Sequence, residues 1–191
     1  FTIVVYALAL AVVLFVYGRA PGSALARVFA ADIAATVFVY AVSLPLGNAS
    51  VYDPYWSVAP AVILPLCMAD FGVWNAGTIA LIVCVSYWGI RLTINWAYTF
   101  RGYDHQDWRY TMLREKSGAL YPLVSLFGIM LFPTMVVFFC LLPALNYIQT
   151  GGVNLVTILG FALCLSAATL QLVADIQLHR FQKQTADRGQ I

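Results

Sequence analysis

The chain has 191 residues, of which 62% are hydrophobic and 9% are charged, and its formal net charge is +2. A soluble domain usually carries about 25% charged residues, so this composition excludes an ordinary water-soluble protein and gives no reason to expect a nucleic-acid partner. The apolar runs are long enough to cross a hydrocarbon layer about 30 Å thick, and they lack the alternation of barrel strands. The sequence therefore predicts an all-α, polytopic bundle of transmembrane helices surrounded by a lipid bilayer.

Six spans follow one another and form a single membrane domain over residues 1–191. They lie at roughly 1–17, 26–46, 57–73, 77–100, 119–146 and 153–179. The link at 71–76 is short, so the third and fourth spans should form a tight hairpin. The link at 101–118 is the longest and the most charged. Because the chain starts inside an apolar run, we interpret it as a fragment of a larger fold.

The distribution of basic residues predicts the orientation. With six spans, the amino terminus, the second link, the fourth link and the carboxyl terminus share one side of the membrane. Seven basic residues lie on that side: Arg101, Arg109, Arg114, Lys116, Arg180, Lys183 and Arg188. The other side carries two, Arg19 and Arg27. Because cytoplasmic loops are enriched in Lys and Arg, the first side should be cytosolic, in a bacterial inner membrane or the endoplasmic reticulum.

A lone acid, Asp53, lies where the third span begins. Tyr52, Tyr55 and Trp56 surround it with aromatic rings. An acid in such a setting is a candidate proton donor. The alternative is a helix cap within an aromatic belt, with Pro54 at the first helical position.

A polar stripe follows in the fourth span. Arg91, Asn95 and Tyr98 lie on one helical face, with Trp88 one turn earlier. A buried arginine has to be paired, hydrated or bound to an anion. It therefore lines a polar cavity or forms a structural ion pair, and Asp53 and Asp175 are the expected partners.

The fourth link contains a segment dense in polar and aromatic groups, HQDWRY at residues 105–110. Its two aromatic residues favour a folded and docked loop over a solvated one. The alternative, a solvated loop, stays open at this stage.

The end of the sixth span carries a second stripe of polar residues. Gln171, Asp175 and His179 recur every four residues, and Arg180 and Lys183 continue the helix. The basic residues could extend to the membrane surface, and Asp175 could form a salt bridge within the bundle. An acid followed by bases also suits the sugar and phosphates of a nucleotide.

Several kinds of site find no support in the sequence. The four cysteines stand singly in apolar runs, so neither a disulfide framework nor a metal site is predicted. There is no GxGxxG, P-loop or HExxH motif, which excludes a Rossmann dinucleotide site. Any nucleotide would have to bind between helices.

Five segments together resemble the steroid 5α-reductase-like superfamily, in its broad and largely uncharacterised branch. They are YDPYWSVAP at 52–60, WGIRL at 88–92, HQDWRY at 105–110, FPT at 132–134 and ADIQL at 174–178, continuing to Arg180 and Phe181. The resemblance implies a fold of seven or more helices and the NADPH-dependent reduction of a C=C bond in a lipid-like or steroid-like enone. The nicotinamide would pass a hydride to the β-carbon, and a carboxylate-assisted tyrosine would polarise the carbonyl oxygen.

The resemblance also implies roles for particular residues. Asp53 matches the acid of the family, and Tyr52 or Tyr98 would take the role of its tyrosine, because Trp88 stands where that tyrosine is expected. The residues expected to bind NADPH are Arg91, Asn95, Gln171, Asp175, Arg180 and Arg188.

One expected motif is missing from the sequence. The family's aromatic-rich Ser-Arg-His-Pro-Asn-Tyr cofactor signature should begin soon after residue 191, so we interpret the chain as lacking that part. Isoprenylcysteine-type methyltransferases, which bind S-adenosylmethionine between helices, share a similar signature and provide an alternative function. A transporter or scaffold is the non-enzymatic alternative, although no internal repeat supports it.

Overall fold

A computed structural model of the protein describes residues 1–187, and this part of the chain contains helices and connecting turns but no strand. The helices are α1 (Thr2–Arg19), α2 (Ala24–Leu46), α3 (Tyr55–Phe71), α4 (Ala76–Thr99), α5 (Trp108–Ser117), α6 (Tyr121–Val124), α7 (Phe132–Thr150) and α8 (Leu155–Asp187). Within these residues, six helical segments are long and apolar enough to span a membrane. The predicted fold class is confirmed. The last helix continues past the predicted span end at 179, as expected from Arg180 and Lys183.

Local signals explain where the spans end. The Ser23 hydroxyl accepts a hydrogen bond from the backbone N–H of Ala26 at the start of α2, as expected of a helix cap. Gly72 ends α3 with a φ of 66°, a conformation that glycine adopts without steric cost. Asn75 and Thr78 then form a reciprocal capping box at the start of α4. These devices build the tight α3–α4 hairpin that the short link predicted.

The fifth span is helical throughout but changes its geometry along its length. A 3-10 turn at Gly118–Leu120 leads into α6, and a π-helical segment at Ser125–Leu131 joins α6 to α7. Such wide turns arise from an extra residue in the helix and occur frequently at functional sites. No sequence pattern predicted this segment.

The core of the bundle lies between α1, α2, α3 and α7. The buried face of α1 repeats about every four residues, and α2 presents small and β-branched residues that are almost fully buried, among them Ala31, Ala35 and Val39. The α4 backbone approaches α3 closely, since a Cβ built on Gly89 would lie 2.5 Å from the carbonyl oxygen of Ser57. By contrast, α8 packs chiefly against α4 and leaves most of its apolar surface uncovered, which suits contact with lipid.

The second and fourth links lie together at one end of the bundle. The Asn48 side-chain amide donates hydrogen bonds to the backbone carbonyls of Tyr103 (2.7 Å) and His105 (3.0 Å). Arg114 on α5 donates to the carbonyl of Gly47. The fourth link is therefore folded and docked, as its aromatic residues indicated. The two links share one side, and the assignment of that side to the cytosol stays a prediction.

Candidate functional site

The polar stripes of α4 and α8 face each other. Arg91 Nη1 donates to Asp175 Oδ2 at 2.5 Å, and Nη2 donates to Gln171 Oε1 at 2.8 Å. The residue Arg91 is 8% exposed, so its charge is largely removed from the solvent and depends on these partners. The sequence left two acids open as partners of Arg91, and the structure pairs it with Asp175.

A second polar contact between the two helices lies one turn farther along. Asn95 Oδ1 and His179 Nε2 are 2.7 Å apart, and the ring of Tyr98 lies 4.8 Å from the imidazole ring of His179. Tyr98 is 74% exposed. Although exposed, Tyr98 lies on the side of α4 that faces α8, because it shares the helical face of Arg91.

A cavity of about 940 Å³ opens beside α4. Its walls come from the second link, α3, α4, the fourth link and the start of α7. Of the residues predicted to form the site, it brings together Tyr52, Asp53 and Asn95. The 105–110 segment also lines it. Small-molecule sites usually have volumes of about 300–1,000 Å³, so this cavity is large enough for a cofactor or a substrate.

Arg91, Gln171, Asp175, Arg180 and Tyr98 are not among the residues that line this cavity. Arg180 is exposed on α8. The predicted cofactor-binding residue Arg188 lies outside the described residues. In the part of the chain that the structure describes, no group of three or more His, Cys, Asp or Glu residues could hold a metal ion.

Asp53 and Tyr52 occupy different surroundings, although they are adjacent. Asp53 Oδ1 accepts a hydrogen bond of 2.7 Å from the hydroxyl of Tyr110, which holds α5 beside the cavity. Tyr52 is 1% exposed, and its hydroxyl lies 2.7 Å from the hydroxyl of Thr134 on α7. Thus Asp53 anchors the fourth link, and the Tyr52 hydroxyl joins the interior of the bundle.

Asp107 lines the cavity and caps the start of α5. Its side chain accepts a hydrogen bond from the backbone N–H of Arg109, and it also binds the Arg109 guanidinium at 2.7 Å. The hydrogen bond from Arg109 holds the pKa of the Asp107 carboxyl below its ordinary range, because it stabilises the ionised form. This pair fixes the first turn of α5.

The structure reveals a second acid–tyrosine pair that sequence reasoning missed. Asp32, in the middle of α2, is 3% exposed. The Tyr55 hydroxyl donates to Asp32 Oδ1 at 2.7 Å and lies 3.0 Å from the Asp32 carbonyl oxygen. The signal was present, since a single acid within an apolar span is uncommon and often functional.

Asp32 and Tyr55 line a narrow cleft of about 50 Å³ between α1, α2 and α3. Except for these two residues and Tyr6, the cleft is lined by aliphatic side chains, such as Val28 and Ile63. The ring of Tyr55 stacks on that of Tyr52 with centroids 5.1 Å apart. The stacked tyrosines therefore lie between the apolar cleft and the polar cavity.

The fold and the site together define an integral, multi-pass membrane protein with a polar cavity beside a buried acid–tyrosine pair. The sequence model of one family, described as "Protein of unknown function (DUF1295)", matches residues 39–191, and the chain belongs to that family. No curated protein and no solved structure matches the chain. The family description assigns no activity, so the reductase resemblance stays a prediction.

Proposed function

We propose that the protein is a membrane-embedded, NADPH-dependent reductase of a C=C bond in a lipid-like enone. The observation that carries this proposal is the hydrogen bond between Tyr55 and Asp32 in an apolar cleft. A carboxylate-assisted tyrosine is the group that the resemblance requires to polarise the carbonyl oxygen. In this proposal Asp32 and Tyr55 replace Asp53, Tyr52 and Tyr98 as the catalytic residues.

The position of the pair suits this chemistry. The cleft of about 50 Å³ has room only for the carbonyl end of an enone, against the aliphatic side chains of α1, α2 and α3, and the rest of the molecule would lie outside it. The carbonyl oxygen of the enone then accepts the single hydrogen of the Tyr55 hydroxyl, which turns from Asp32 Oδ1 toward the substrate. As negative charge develops on that oxygen, a donor held in a water-poor site stabilises it more strongly than water would.

The α4–α8 stripe supplies groups suited to NADPH. The Arg91 Nε is buried and has no hydrogen-bond partner among the described residues. Arginine donors match phosphate oxygens, and the carboxylate of Asp175 and the amide of Asn95 match ribose hydroxyls. Gln171 and Arg180 extend the same stripe. The cofactor, when bound, supplies the hydride for the β-carbon of the enone.

The decisive experiment uses the full-length protein in lipid nanodiscs with NADPH and a set of steroid-like and linear enones. Asp32→Asn and Tyr55→Phe should each slow turnover by about 10²–10⁴-fold, as expected when a proton-transfer group is lost. Their affinity for NADPH should stay close to that of the wild type, because neither residue lies on the α4–α8 stripe. Asp53→Asn is the matched control, since it alters an acid that anchors α5.

Two results would overturn the proposal. The first is an unchanged rate of enone reduction in Asp32→Asn. The second is a folded full-length protein that binds S-adenosylmethionine but not NADPH, which would favour a methyltransferase. Binding of neither cofactor would favour a transporter or scaffold.

A further inference from the structure

A chain of buried hydroxyl groups connects the cavity with the Asp32–Tyr55 pair. The Tyr52 hydroxyl lies 2.7 Å from that of Thr134, which lies 2.8 Å from that of Thr36. The Thr36 hydroxyl donates to the Asp32 carbonyl oxygen at 2.9 Å, and the Tyr55 hydroxyl reaches the same oxygen at 3.0 Å. These five residues are 0–6% exposed. They come from α2, α7 and the region where α3 begins.

The hydrogen bonds of this chain run in one direction. Each hydroxyl has a single hydrogen to donate. Because Thr36 donates to the Asp32 carbonyl oxygen, it accepts from Thr134, and Thr134 in turn accepts from Tyr52. The Tyr52 oxygen is left as the open acceptor at the end of the chain, and Tyr52 is one of the residues that line the cavity.

The cleft itself offers no comparable route for protons. Its only polar side chains are Asp32, Tyr55 and Tyr6, and the Tyr6 hydroxyl donates to the carbonyl of Val51 at 3.1 Å. The remaining lining is aliphatic and lies within the span of the membrane. Among the described residues, the hydroxyl chain is therefore the continuous polar connection between the pair and the cavity.

We propose that Tyr52, Thr134 and Thr36 form a proton relay that restores the Asp32–Tyr55 pair after each turnover. The relay rests on the proposed reductase function, in which the substrate receives one hydride from NADPH and one proton from the pair. When Tyr55 has given its proton to the substrate oxygen, the phenolate takes the proton of Thr36. Thr36 then takes a proton from Thr134, and Thr134 takes a proton from Tyr52. Tyr52 finally takes a proton from water in the cavity. One proton enters, one leaves, and each hydroxyl ends as it began.

The convergence of Thr36 and Tyr55 on the Asp32 carbonyl oxygen supports the first transfer, from Thr36 to the Tyr55 phenolate. Both hydroxyls converge on one carbonyl oxygen, Thr36 at 2.9 Å and Tyr55 at 3.0 Å, which brings the two groups near each other. A rotation of the Thr36 hydroxyl hydrogen from the carbonyl to the phenolate is the only movement required. The relay residues act through Tyr55 and are positioning residues, because none of them touches the substrate.

The test replaces each threonine by valine, which keeps the shape and removes the hydroxyl, and by serine, which keeps the hydroxyl. The first readout does not depend on activity. At acid pH, infrared spectroscopy follows the exchange of the Asp32 carboxyl proton for deuterium, with the band identified by its loss in Asp32→Asn. Thr36→Val and Thr134→Val should slow this exchange by roughly tenfold or more, and the serine variants should restore it.

The second readout is enone reduction. The valine variants should lower turnover and raise the solvent deuterium isotope effect, because proton delivery then limits the rate. Tyr52→Phe keeps the ring and removes only the entry hydroxyl, so it provides a third measurement if a valine variant does not fold.

Unchanged carboxyl exchange in the folded valine and phenylalanine variants would overturn the relay, even in an active reductase. If the valine variants exchange the Asp32 carboxyl proton more slowly than the wild type, but the wild type reduces no enone, the proton path would be supported and the reductase function overturned.

Discussion

Removing Asp175 from the Arg91–Asp175 pair should destabilise the protein more than removing Arg91. The side chain of Arg91 is 6% exposed, and that of Asp175 is 27% exposed. Asp175→Leu leaves a buried guanidinium with Gln171 as its remaining partner, and breaking a buried pair in this way costs about 3–5 kcal/mol. Arg91→Met removes the buried charge and leaves a carboxylate that is less buried than the guanidinium. Its cost should be smaller, about 1–3 kcal/mol, as for a polar group deprived of its partner.

The double variant separates these contributions. Arg91→Met combined with Asp175→Leu leaves no unpaired charge, so it should be more stable than Asp175→Leu alone. Arg109→Met is the matched control because the Arg109 side chain is 62% exposed in its pair with Asp107. Exposed pairs of this kind contribute about 0–1 kcal/mol, and this variant should change little.

The assay is reversible unfolding in mixed detergent micelles, combined with labelling of Cys84. The Cys84 thiol on α4 is 3% exposed and lies 3.9 Å from the carbonyl of Phe161 on α8. If α8 separates from α4, a membrane-permeant maleimide should label Cys84 faster in a background without the other cysteines. The reasoning would be refuted if Asp175→Leu were no more destabilising than Arg91→Met. A double variant that costs as much as the two single variants together would refute it equally.

Three further outcomes follow from the fold. Gly89→Ala should destabilise the α3–α4 hairpin by about 1–3 kcal/mol through overpacking, whereas Gly160→Ala, with nothing within 4 Å, should be neutral or slightly stabilising; thermal melts compare the two variants. Asp53→Asn should weaken the hydrogen bond that holds α5 by about 1 kcal/mol, which faster amide hydrogen exchange across α5 would reveal and unchanged exchange would contradict. In sealed vesicles, a cysteine at Lys116 should react only from the cytosolic side and one at Trp74 only from outside; the reverse pattern would invert the orientation.

Much of the architecture could be predicted because it depends on local properties. Long apolar runs define the spans, and the spacing of Arg91, Asn95 and Tyr98 defines one helical face. That face meets the stripe of Gln171 and Asp175 in the structure. Tyr98 lies against the His179 ring of α8 and does not line the cavity, whereas Asn95 on the same face contacts His179 and also lines the cavity.

The parts that could not be predicted depend on how helices are rotated against one another. Asp32 has only the hydroxyl of Thr36 as a polar neighbour one turn away on its own helix, and the partner of its carboxyl group, Tyr55, is contributed by α3. The rotation of α2 against α3 decides that contact, and neither helix encodes it alone. Tyr52 was expected beside Asp53 as a catalytic group, but its hydroxyl is carried toward Thr134 by the short 3-10 turn before α3.

The π-helical segment at Ser125–Leu131 restricts how the length of the fifth span can change during evolution. Deleting the extra residue would restore ordinary helical geometry with little rotation of the flanking helices, but winding all seven residues as an ordinary α-helix would turn everything before the segment by about 100° relative to α7. The Tyr121 hydroxyl would then move away from the Gln106 side chain, which donates to it at 2.9 Å. The carbonyl of Pro122 would likewise leave the hydroxyl of Tyr40, 3.1 Å away. We expect related chains either to keep all seven residues and the π-helical segment or to have one residue fewer and an ordinary helix, and to keep these two contacts in both cases.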